Sequence, residues 1–411
     1  MEAKPRSARW FMLFLTWFVC LASCLSWYAF IPLRPEIMRD LGLEETEVSL
    51  IASMVLLGFA AFCIPGGIIA DKLGTKRAIG IWSLLFAAFT FAKGATWGFV
   101  DWVIVNLLFG MAIACAFPGY PRAVEEWFPR EELAFASGLY FTGFGLGLTL
   151  ALAVTPTMVL PLLGSWRTCF YFWGTVALLA SLAWWLGYRT GPYTAERSHE
   201  HGIPLKKAFM KVIKTKTLWL LVIAYSCSLA VFFEYSHDLP SELIARWESI
   251  MGLEEARVRA SLVASSLTFG ALVGNLVGPF ISDRVGLRRP IIISCSALAA
   301  IFVYLGTVPG IEVVGAFLAG ICMGSIYPIF LTIPLEASDI GHEITGSAVG
   351  ILSSMANLSA AIFVAVGGIV AETFGTHMIA FYIGMLLLVI SALMGVLLPE
   401  TGRRHPTESK K

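Results

Sequence analysis

The sequence predicts an all-α membrane protein with twelve transmembrane helices in two pseudo-symmetric six-helix bundles. The first observation is composition: 57% of the 411 residues are hydrophobic, 14% are charged, and the mean hydropathy is +0.78. A soluble domain carries roughly a quarter charged residues, so this chain is too apolar to be one. The other two observations are a series of apolar runs and a motif that recurs half a chain later.

The apolar runs set the number of spans. A membrane-spanning helix needs roughly 20 predominantly apolar residues. Twelve runs have this character: 10–33, 47–70, 78–98, 102–124, 134–158, 168–188, 217–240, 258–282, 290–309, 313–334, 344–370 and 377–398. The longest polar interruption divides six runs from six. We therefore predict bundles at 1–188 and 217–399, a linker at 189–216 and a tail at 400–411.

The recurring motif is a basic hairpin between two apolar runs. The segment 67–77 reads GIIADKLGTKR, and the segment 279–289 reads PFISDRVGLRR, which sets Asp71 and Asp283 212 residues apart. A second pair of segments, beginning at Gly110 and Gly320, matches at an offset of 210. Two matches at nearly one offset indicate a duplicated bundle. Duplicated bundles are typical of secondary transporters, whose substrate sites lie between the repeats near the midplane.

The basic residues predict the orientation. If the N-terminus is cytoplasmic, 22 of the 29 Lys and Arg residues fall in cytoplasmic segments, as the positive-inside rule requires. Both termini, both hairpins and the linker are then cytoplasmic. No small-residue cleavage site follows the first apolar run, so we expect an uncleaved multi-pass protein of the cell (plasma or inner) membrane. The net charge of +1 gives no reason to expect a nucleic-acid partner.

Several function classes find no support in the sequence. The eight cysteines lie in apolar runs without metal-ligand or disulfide spacing, so no metal centre is expected. No nucleotide-binding motif occurs, which argues against ATP as the energy source and against a bound cofactor. No nucleophile–base constellation suggests an enzyme. A sensor would need a larger extramembrane domain than the linker or tail provides.

The two hairpins carry a family resemblance. Five positions of the first resemble the loop signature between spans 2 and 3 of the major facilitator superfamily: Gly67, Asp71, Gly74, Lys76 and Arg77. The second keeps an Asp, a Gly and three basic residues: Asp283, Arg284, Gly286, Arg288 and Arg289. Pro279 replaces its leading Gly. The resemblance covers all twelve spans and implies the major facilitator fold, with these residues latching the cytoplasmic side. A plain positive-inside turn is the alternative for each hairpin.

Other segments narrow the resemblance. Span 4 has Asn106 where many members carry an Arg, and span 5 lacks the Gly-Pro pair of drug/proton antiporters, which argues against a multidrug exporter. Segments in spans 4–6, such as Phe117-Pro118, 127–132 and 165–167, resemble the anion:cation symporter and nitrate/cyanate-type branches. The resemblance therefore implies a small anionic solute.

Span 7 contains the densest group of ionisable residues. An ionisable group at mid-depth costs roughly 2.5–3.5 kcal/mol on insertion scales, so it needs a partner or a water-filled cavity. Glu234 and His237 are three residues apart and share a helix face, with Asp238 beside them. We interpret the group as a proton-coupling or substrate-contact site. A helix end that pairs with water in the outer headgroup layer is the first alternative, and ligands for a divalent metal are the second.

Two arginines are candidate charge partners. Arg122, near the cytoplasmic end of span 4, would bind an anionic solute in bidentate fashion or would pair with Glu125 or Glu126 at the inner gate. Arg34, at the outer end of span 1, would form an outer gate with Asp238 or Glu234 of span 7.

Four uncharged polar residues complete the candidate site. In the superfamily, spans 1, 4, 7 and 10 border the cavity, which favours Tyr28 and Tyr327. Asn275 and Asn357 either line the cavity or tie helices together. We expect a monomeric secondary active transporter that moves a small, anionic solute with protons by alternating access. The alternatives are a divalent metal or cation transporter using Glu234, His237 and Asp238, and a transporter-like sensor.

Overall fold

The computed structural model describes residues 6–129, 132–193, 215–337 and 345–402, and every regular element in these ranges is helical. The chain divides into two compact units. The first comprises Met1–His201 with Arg257–Ser261, and the second comprises Gly202–Ala256 with Leu262–Lys411. The predicted linker at 189–216 falls mostly outside the described residues.

The described helices of the first unit are α1 (Arg6–Tyr28), α2 (Phe30–Leu41), α3 (Glu45–Leu73), α4 (Thr75–Gly94), α5 (Phe99–Ala116), α6 (Gly119–Trp127), α7 (Leu133–Val154), α8 (Leu160–Leu163) and α9 (Trp166–Gly187). A π-helical turn, Thr155–Val159, joins α7 to α8. In the second unit they are α10 (Lys216–Met251), α11 (Leu253–Val285), α12 (Arg289–Leu305), α13 (Glu312–Glu336), α14 (Thr345–Phe374) and α15 (Met378–Leu397).

Ten helical stretches of the described residues are long and apolar enough to cross a membrane. The predicted spans 78–98 and 290–309 fall outside that set. The first corresponds to α4, which contains Lys76, Arg77 and Lys93, and the second to α12, which has 17 residues. The chain is an all-helical multi-pass membrane protein, and twelve spans in two six-helix bundles stay a prediction.

In spans 1, 4 and 7 the observed helices differ from the predicted spans at a proline. Span 1 is broken at Ala29, between α1 and α2, because Pro32 cannot donate a backbone hydrogen bond to the turn before it. Span 4 is broken at Phe117-Pro118, between α5 and α6. Span 7, predicted to end at residue 240, continues through Pro240 to Met251. Its ionisable group therefore lies inside a helix and not at its end.

Glycines bring α3 and α5 of the first unit into backbone contact. A Cβ atom on Gly58 would lie 2.4 Å from the carbonyl oxygen of Leu107. A Cβ atom on Gly110 would lie 2.2 Å from the carbonyl oxygen of Val55. Small residues at helix interfaces allow this close approach in membranes.

The same contacts recur between α11 and α13 of the second unit. A Cβ atom on Gly270 would lie 2.2 Å from the Phe317 carbonyl oxygen, and one on Gly320 would lie 2.0 Å from that of Leu267. The residues of α11 stand 212 positions after their counterparts in α3, and those of α13 stand 210 after those in α5. The internal repeat therefore extends beyond the hairpin motif to individual helix contacts.

Paired serines repeat in the same way. The hydroxyl groups of Ser83 on α4 and Ser181 on α9 are 2.7 Å apart. Those of Ser296 on α12 and Ser391 on α15 are 3.3 Å apart. The offsets are 213 and 210 residues. Each unit thus joins the corresponding helices through a buried hydroxyl pair.

Candidate functional site

The ionisable group of α10 is buried inside the second unit. Glu234 is 1% exposed, His237 is 1% exposed and Asp238 is fully buried. The alternative of a helix end that faces water is therefore wrong for these residues. Ionisable residues are rare inside membrane-spanning helices and commonly mark solute or proton pathways there, so this group stays the candidate site.

Asp238 has a partner that the sequence did not reveal. Its Oδ2 atom lies 3.1 Å from Nδ1 of His377, which immediately precedes α15. His377 is itself buried. The two residues are 139 positions apart. No local pattern links them, because the contact is created by the packing of α10 against α15.

A second acidic residue of α10 binds the same turn. The carboxylate of Glu242 accepts hydrogen bonds at 2.9 Å from the Thr376 hydroxyl and from the backbone N–H of His377. One turn later, Arg246 donates a hydrogen bond of 2.6 Å to the carbonyl oxygen of Thr307. The predicted outer end of α10 is therefore hydrogen-bonded to the loop between α14 and α15 and to the loop between α12 and α13.

Tyr327 belongs to an aromatic cluster in the second unit. Its ring makes edge contacts with Tyr225 and Phe232, at centroid distances of 6.0 and 5.6 Å. Its hydroxyl donates a 3.4 Å hydrogen bond to the carbonyl oxygen of Ser228. Tyr327 is half-buried, and its contact with a solute stays a prediction.

The two predicted asparagines differ. The side-chain amide of Asn357 donates to the carbonyl oxygen of Ser353 in its own helix at 2.9 Å, so this amide group does not tie two helices together. The buried Oδ1 atom of Asn275 on α11 has no hydrogen-bond partner among the described residues. Asn275 is thus the better candidate for a solute contact.

In the first unit, Tyr28 and Arg34 flank the break in span 1. Tyr28 is fully buried, with its ring 5.8 Å from that of Trp27. Arg34, 2% exposed, pairs with the carboxylate of Glu45 and donates to the Ser49 hydroxyl at 3.0 Å. Its predicted partners in α10 belong to the other unit, and the outer gate stays a prediction.

Lys93 is a basic residue within the predicted span 78–98. The side chain is fully buried in α4. Its ammonium group lies 3.5 Å from the ring centroid of Phe109 and 3.4 Å from the carbonyl oxygen of Ser26. The cation is thus held by an aromatic face and by a carbonyl group close to the break at Ala29.

Glu126, a predicted partner of Arg122, connects three segments at the predicted cytoplasmic end. Its carboxylate accepts hydrogen bonds from the hydroxyl of Thr75, from the Tyr188 hydroxyl at 2.8 Å and from the Gly191 N–H at 3.4 Å. Burial and the nearby Glu126 charge raise the pKa of Tyr188, so the phenol keeps the proton that it donates. Arg122 is half-buried on α6, and its role as solute contact or gate stays a prediction.

The second hairpin is organised around Arg288. Its guanidinium group pairs with Asp283 at 2.6 Å and with Glu336 at 2.8 Å. Hydrogen bonds to Glu336 and then to Asp283 raise the pKa of Arg288. The carboxylate of Glu400 accepts the backbone N–H groups of Arg288 and Arg289 at 2.7 and 3.1 Å, at the positive end of α12.

Both hairpins turn at a glycine with positive φ, although ψ is 157° at Gly74 and 24° at Gly286. Gly74 and Gly286 both have φ of 74°, a conformation that favours glycine. Arg77 and Arg284 are exposed. The side chains of Asp71 and Lys72 lie outside the described residues, as does the environment of Gly67, so their predicted role as a latch stays a prediction.

The repeat, the hairpins and the helical architecture agree with a family model. The model described as Major Facilitator Superfamily matches residues 16–256 and 254–411. The chain belongs to this superfamily. The resemblance carried by the two hairpins is confirmed.

Full-length relatives of this major facilitator protein are transporters. The hexuronate transporter of Bacillus subtilis (strain 168) is 24% identical over 401 residues, which cover 92% of each chain. The 3-(3-hydroxy-phenyl)propionate transporter of Escherichia coli (strain K12) is 27% identical over 338 residues, which cover 78% of each chain. The chain is accordingly a membrane transporter of the superfamily, and the prediction of a transport function is confirmed at that level.

A solved structure agrees with the fold. The bacterial homologue of the human lysosomal transporter Spinster superposes with a TM-score of 0.76 at 14% identity, covering 96% of this chain and 97% of its own. At this identity the similarity concerns the fold alone.

Proposed function

We propose that this major facilitator protein is a proton-coupled symporter of a small organic anion. It would work by alternating access, with two six-helix bundles that expose the solute first to one side of the membrane and then to the other. The observation that carries the proposal is Glu234, a carboxylate 1% exposed at the middle of α10. Carboxylates at such positions are expensive and mark substrate or proton pathways.

The coupling step follows from the chemistry of a buried carboxylate. Burial favours the uncharged form, which is the form that carries a proton, whereas an opposite charge favours the ionised form. Glu234 would take up a proton from the side of higher proton concentration and release it when the cavity faces the other side. His237, on the same face of α10, is the nearest candidate for an exchange partner.

The names of the relatives support an anionic solute. Hexuronate and 3-(3-hydroxy-phenyl)propionate are both carboxylates, transported by proteins that align with most of this chain. A guanidinium group binds a carboxylate through two parallel hydrogen bonds. We assign this role to Arg122, with Tyr327 and Asn275 as uncharged contacts and Tyr28, Asp238 and Asn357 as supporting residues.

The hairpins would serve as latches at the cytoplasmic end. Arg288 is held by Asp283 and Glu336 in the second unit, and Glu126 binds the start of α4 in the first. Ion pairs of this kind separate and re-form when domains rotate. In this proposal the protein is a monomer of the cell membrane with both termini in the cytoplasm.

Uptake into proteoliposomes tests the proposal. The panel includes hexuronates, aromatic carboxylates, nitrate, neutral sugars and divalent cations, each with and without an inward proton gradient. We expect carboxylate uptake that the gradient stimulates, that Glu234→Gln uncouples from the gradient and that Arg122→Ala weakens. Gradient-stimulated uptake that persists in Glu234→Gln would contradict the assignment of proton coupling to Glu234. Uptake restricted to divalent cations would favour a metal transporter.

A further inference from the structure

We infer that Gly367 is the positioning residue for Glu234. Because glycine has no side chain, this point of α14 leaves the space that the buried carboxyl group occupies. The inference rests on the proposed coupling role of Glu234 for its functional consequence, but its geometric part stands independently. Nothing in the sequence links the two residues, which are 133 positions apart.

The two residues meet at the middle of a regular seam between α10 and α14. Toward the predicted cytoplasmic end, the Ser359 hydroxyl donates to the carbonyl oxygen of Ser226 at 3.2 Å. Toward the predicted outer end, Glu242 accepts from Thr376, just beyond α14, at 2.9 Å. These contacts occur eight or nine residues before and after Glu234 and Gly367 along each chain segment. The helices therefore run parallel, and both flanks of the seam are fixed by hydrogen bonds.

The approach of the carboxylate to Gly367 is very close. A Cβ atom on Gly367 would lie 1.9 Å from Oε1 of Glu234, 2.6 Å from Oε2 and 2.5 Å from the carboxyl carbon. The three nearest neighbours of this hypothetical Cβ are therefore all atoms of the carboxyl group. Alanine at position 367 would occupy the volume that the carboxyl group now fills.

The carboxyl group is the far end of a flexible side chain, whereas both flanks of the seam are hydrogen-bonded. We therefore expect the carboxyl group to move and the helices to stay in contact. A displaced carboxylate has other neighbours and another route to protons, so Gly367→Ala should act on proton coupling through Glu234. The substitution adds a single methyl group and introduces no charge.

The chain offers a matched control. Gly138 is also in a long apolar helix, α7, and among the described residues a Cβ atom there would meet nothing within 4 Å. Gly138→Ala therefore reports the effect of replacing a helical glycine when no neighbour is displaced. We expect this control to transport and couple as the parent protein does.

The functional experiment compares gradient-driven uptake with solute counterflow in proteoliposomes, using a carboxylate that the parent protein transports. Counterflow exchanges solute for solute and requires no net proton movement. We expect Gly367→Ala to lower the stimulation by the proton gradient about fivefold or more while counterflow persists. Coupling equal to that of the Gly138→Ala control would overturn the inference, as would equal loss of uptake and counterflow.

The geometric experiment varies the size of residue 234 and measures thermal unfolding of purified protein. Gly367→Ala should lower the melting temperature when residue 234 is Glu or Gln, which have the same length. It should have little effect when residue 234 is Asp or Ala, which leave room for the methyl group. An equal loss in all four backgrounds would mean that the glycine serves helix packing alone, and the inference would be wrong.

The two readouts separate this inference from the proposed function. If Glu234→Gln retains proton coupling, the coupling role assigned to Glu234 fails, but the size-dependent melting temperatures still test whether Gly367 positions the side chain. If coupling depends on Glu234 and the melting temperatures show no dependence on its size, the proposed function stands and the role of Gly367 does not.

Discussion

Glu126 and Glu336 stand 210 residues apart and make the same connection in their respective units. Glu126 accepts hydrogen bonds from Thr75, at the start of α4, and from Tyr188, just after α9. Glu336 pairs with Arg288, just before α12, and accepts from Thr401, after α15. In each unit, one carboxylate at the end of a helix thus connects two segments that occupy equivalent positions in the repeat.

The partners of these two carboxylates differ in charge, and this predicts unequal effects on stability. Glu336→Gln removes an ion pair with Arg288, whose side chain is 9% exposed, whereas Glu126→Gln weakens hydrogen bonds to neutral donors. Hydrogen bonds to charged groups contribute about 1.5–3 kcal/mol, which applies to both carboxylates, but only Glu336→Gln also removes a counter-charge from a largely buried guanidinium group. We expect the larger fall in unfolding free energy for Glu336→Gln, measured by thermal unfolding in detergent.

The control for that comparison is Glu132→Gln. Glu132 pairs with Arg9 at 3.0 Å, but its side chain is 43% exposed. An exposed pair contributes about 0–1 kcal/mol. If Glu336→Gln is no more destabilising than Glu132→Gln, the carboxylate at position 336 does not secure this end of the second unit.

The buried pair of Asp238 and His377 predicts non-additive energetics. His377→Ala removes a hydrogen bond to a fully buried carboxylate and should cost about 2 kcal/mol. Asp238→Asn should cost less in the His377→Ala background than in the parent protein, because the interaction has already been lost. A double-mutant cycle of unfolding free energies measures this coupling. Additive costs would show that the 3.1 Å contact contributes nothing.

Lys93 predicts a substitution that increases stability. The ammonium group is fully buried and is held by the Phe109 ring and one long hydrogen bond to a carbonyl oxygen. Replacing buried ionic groups by apolar residues of similar volume is often neutral or stabilising by about 1–4 kcal/mol. We expect Lys93→Met to raise the melting temperature and Lys93→Gln to lower it. A lower melting temperature for Lys93→Met would mean that the cation is required at this position.

The repeated glycine contacts predict matched effects of substitution. Gly58→Ala and Gly270→Ala each place a methyl group against a backbone carbonyl of the neighbouring helix. Overpacking of this kind costs roughly 1–3 kcal/mol. Thermal unfolding should show similar losses for both variants and little loss for Gly138→Ala. A loss confined to one of the two would contradict the equivalence of the helix pairs.

The hairpins predict an accessibility pattern. Arg77 and Arg284 are exposed, so Arg77→Cys and Arg284→Cys introduce accessible thiols beside the two turns. A membrane-impermeant maleimide should label both in inside-out vesicles and neither in intact cells, with the parent protein as the background. Labelling from opposite sides would contradict both the orientation and the duplicated architecture.

Local patterns in the sequence predicted the features that depend on local chemistry. Apolar runs predicted the helices, and both hairpin glycines adopt the left-handed φ expected of a tight turn. Glu234 was identified because an acidic residue in an apolar run is rare. The partners were not predictable: His377 and Gly367 lie more than 130 positions from Asp238 and Glu234. Lys93 lies within a predicted span, but its burial against Phe109 follows from packing and has no local signal in the sequence.

The glycine contacts between α3 and α5 also limit how the first unit can deform. Main-chain atoms in contact cannot change rotamer to accommodate sliding of one helix along the other. We therefore expect these two helices to move together as a rigid pair. We expect bending near Pro32 and Pro118 instead, because neither residue can donate the backbone hydrogen bond of a continuous helix. Prolines therefore mark the positions where we expect this unit to bend, and glycines mark the helix contacts that we expect to stay rigid.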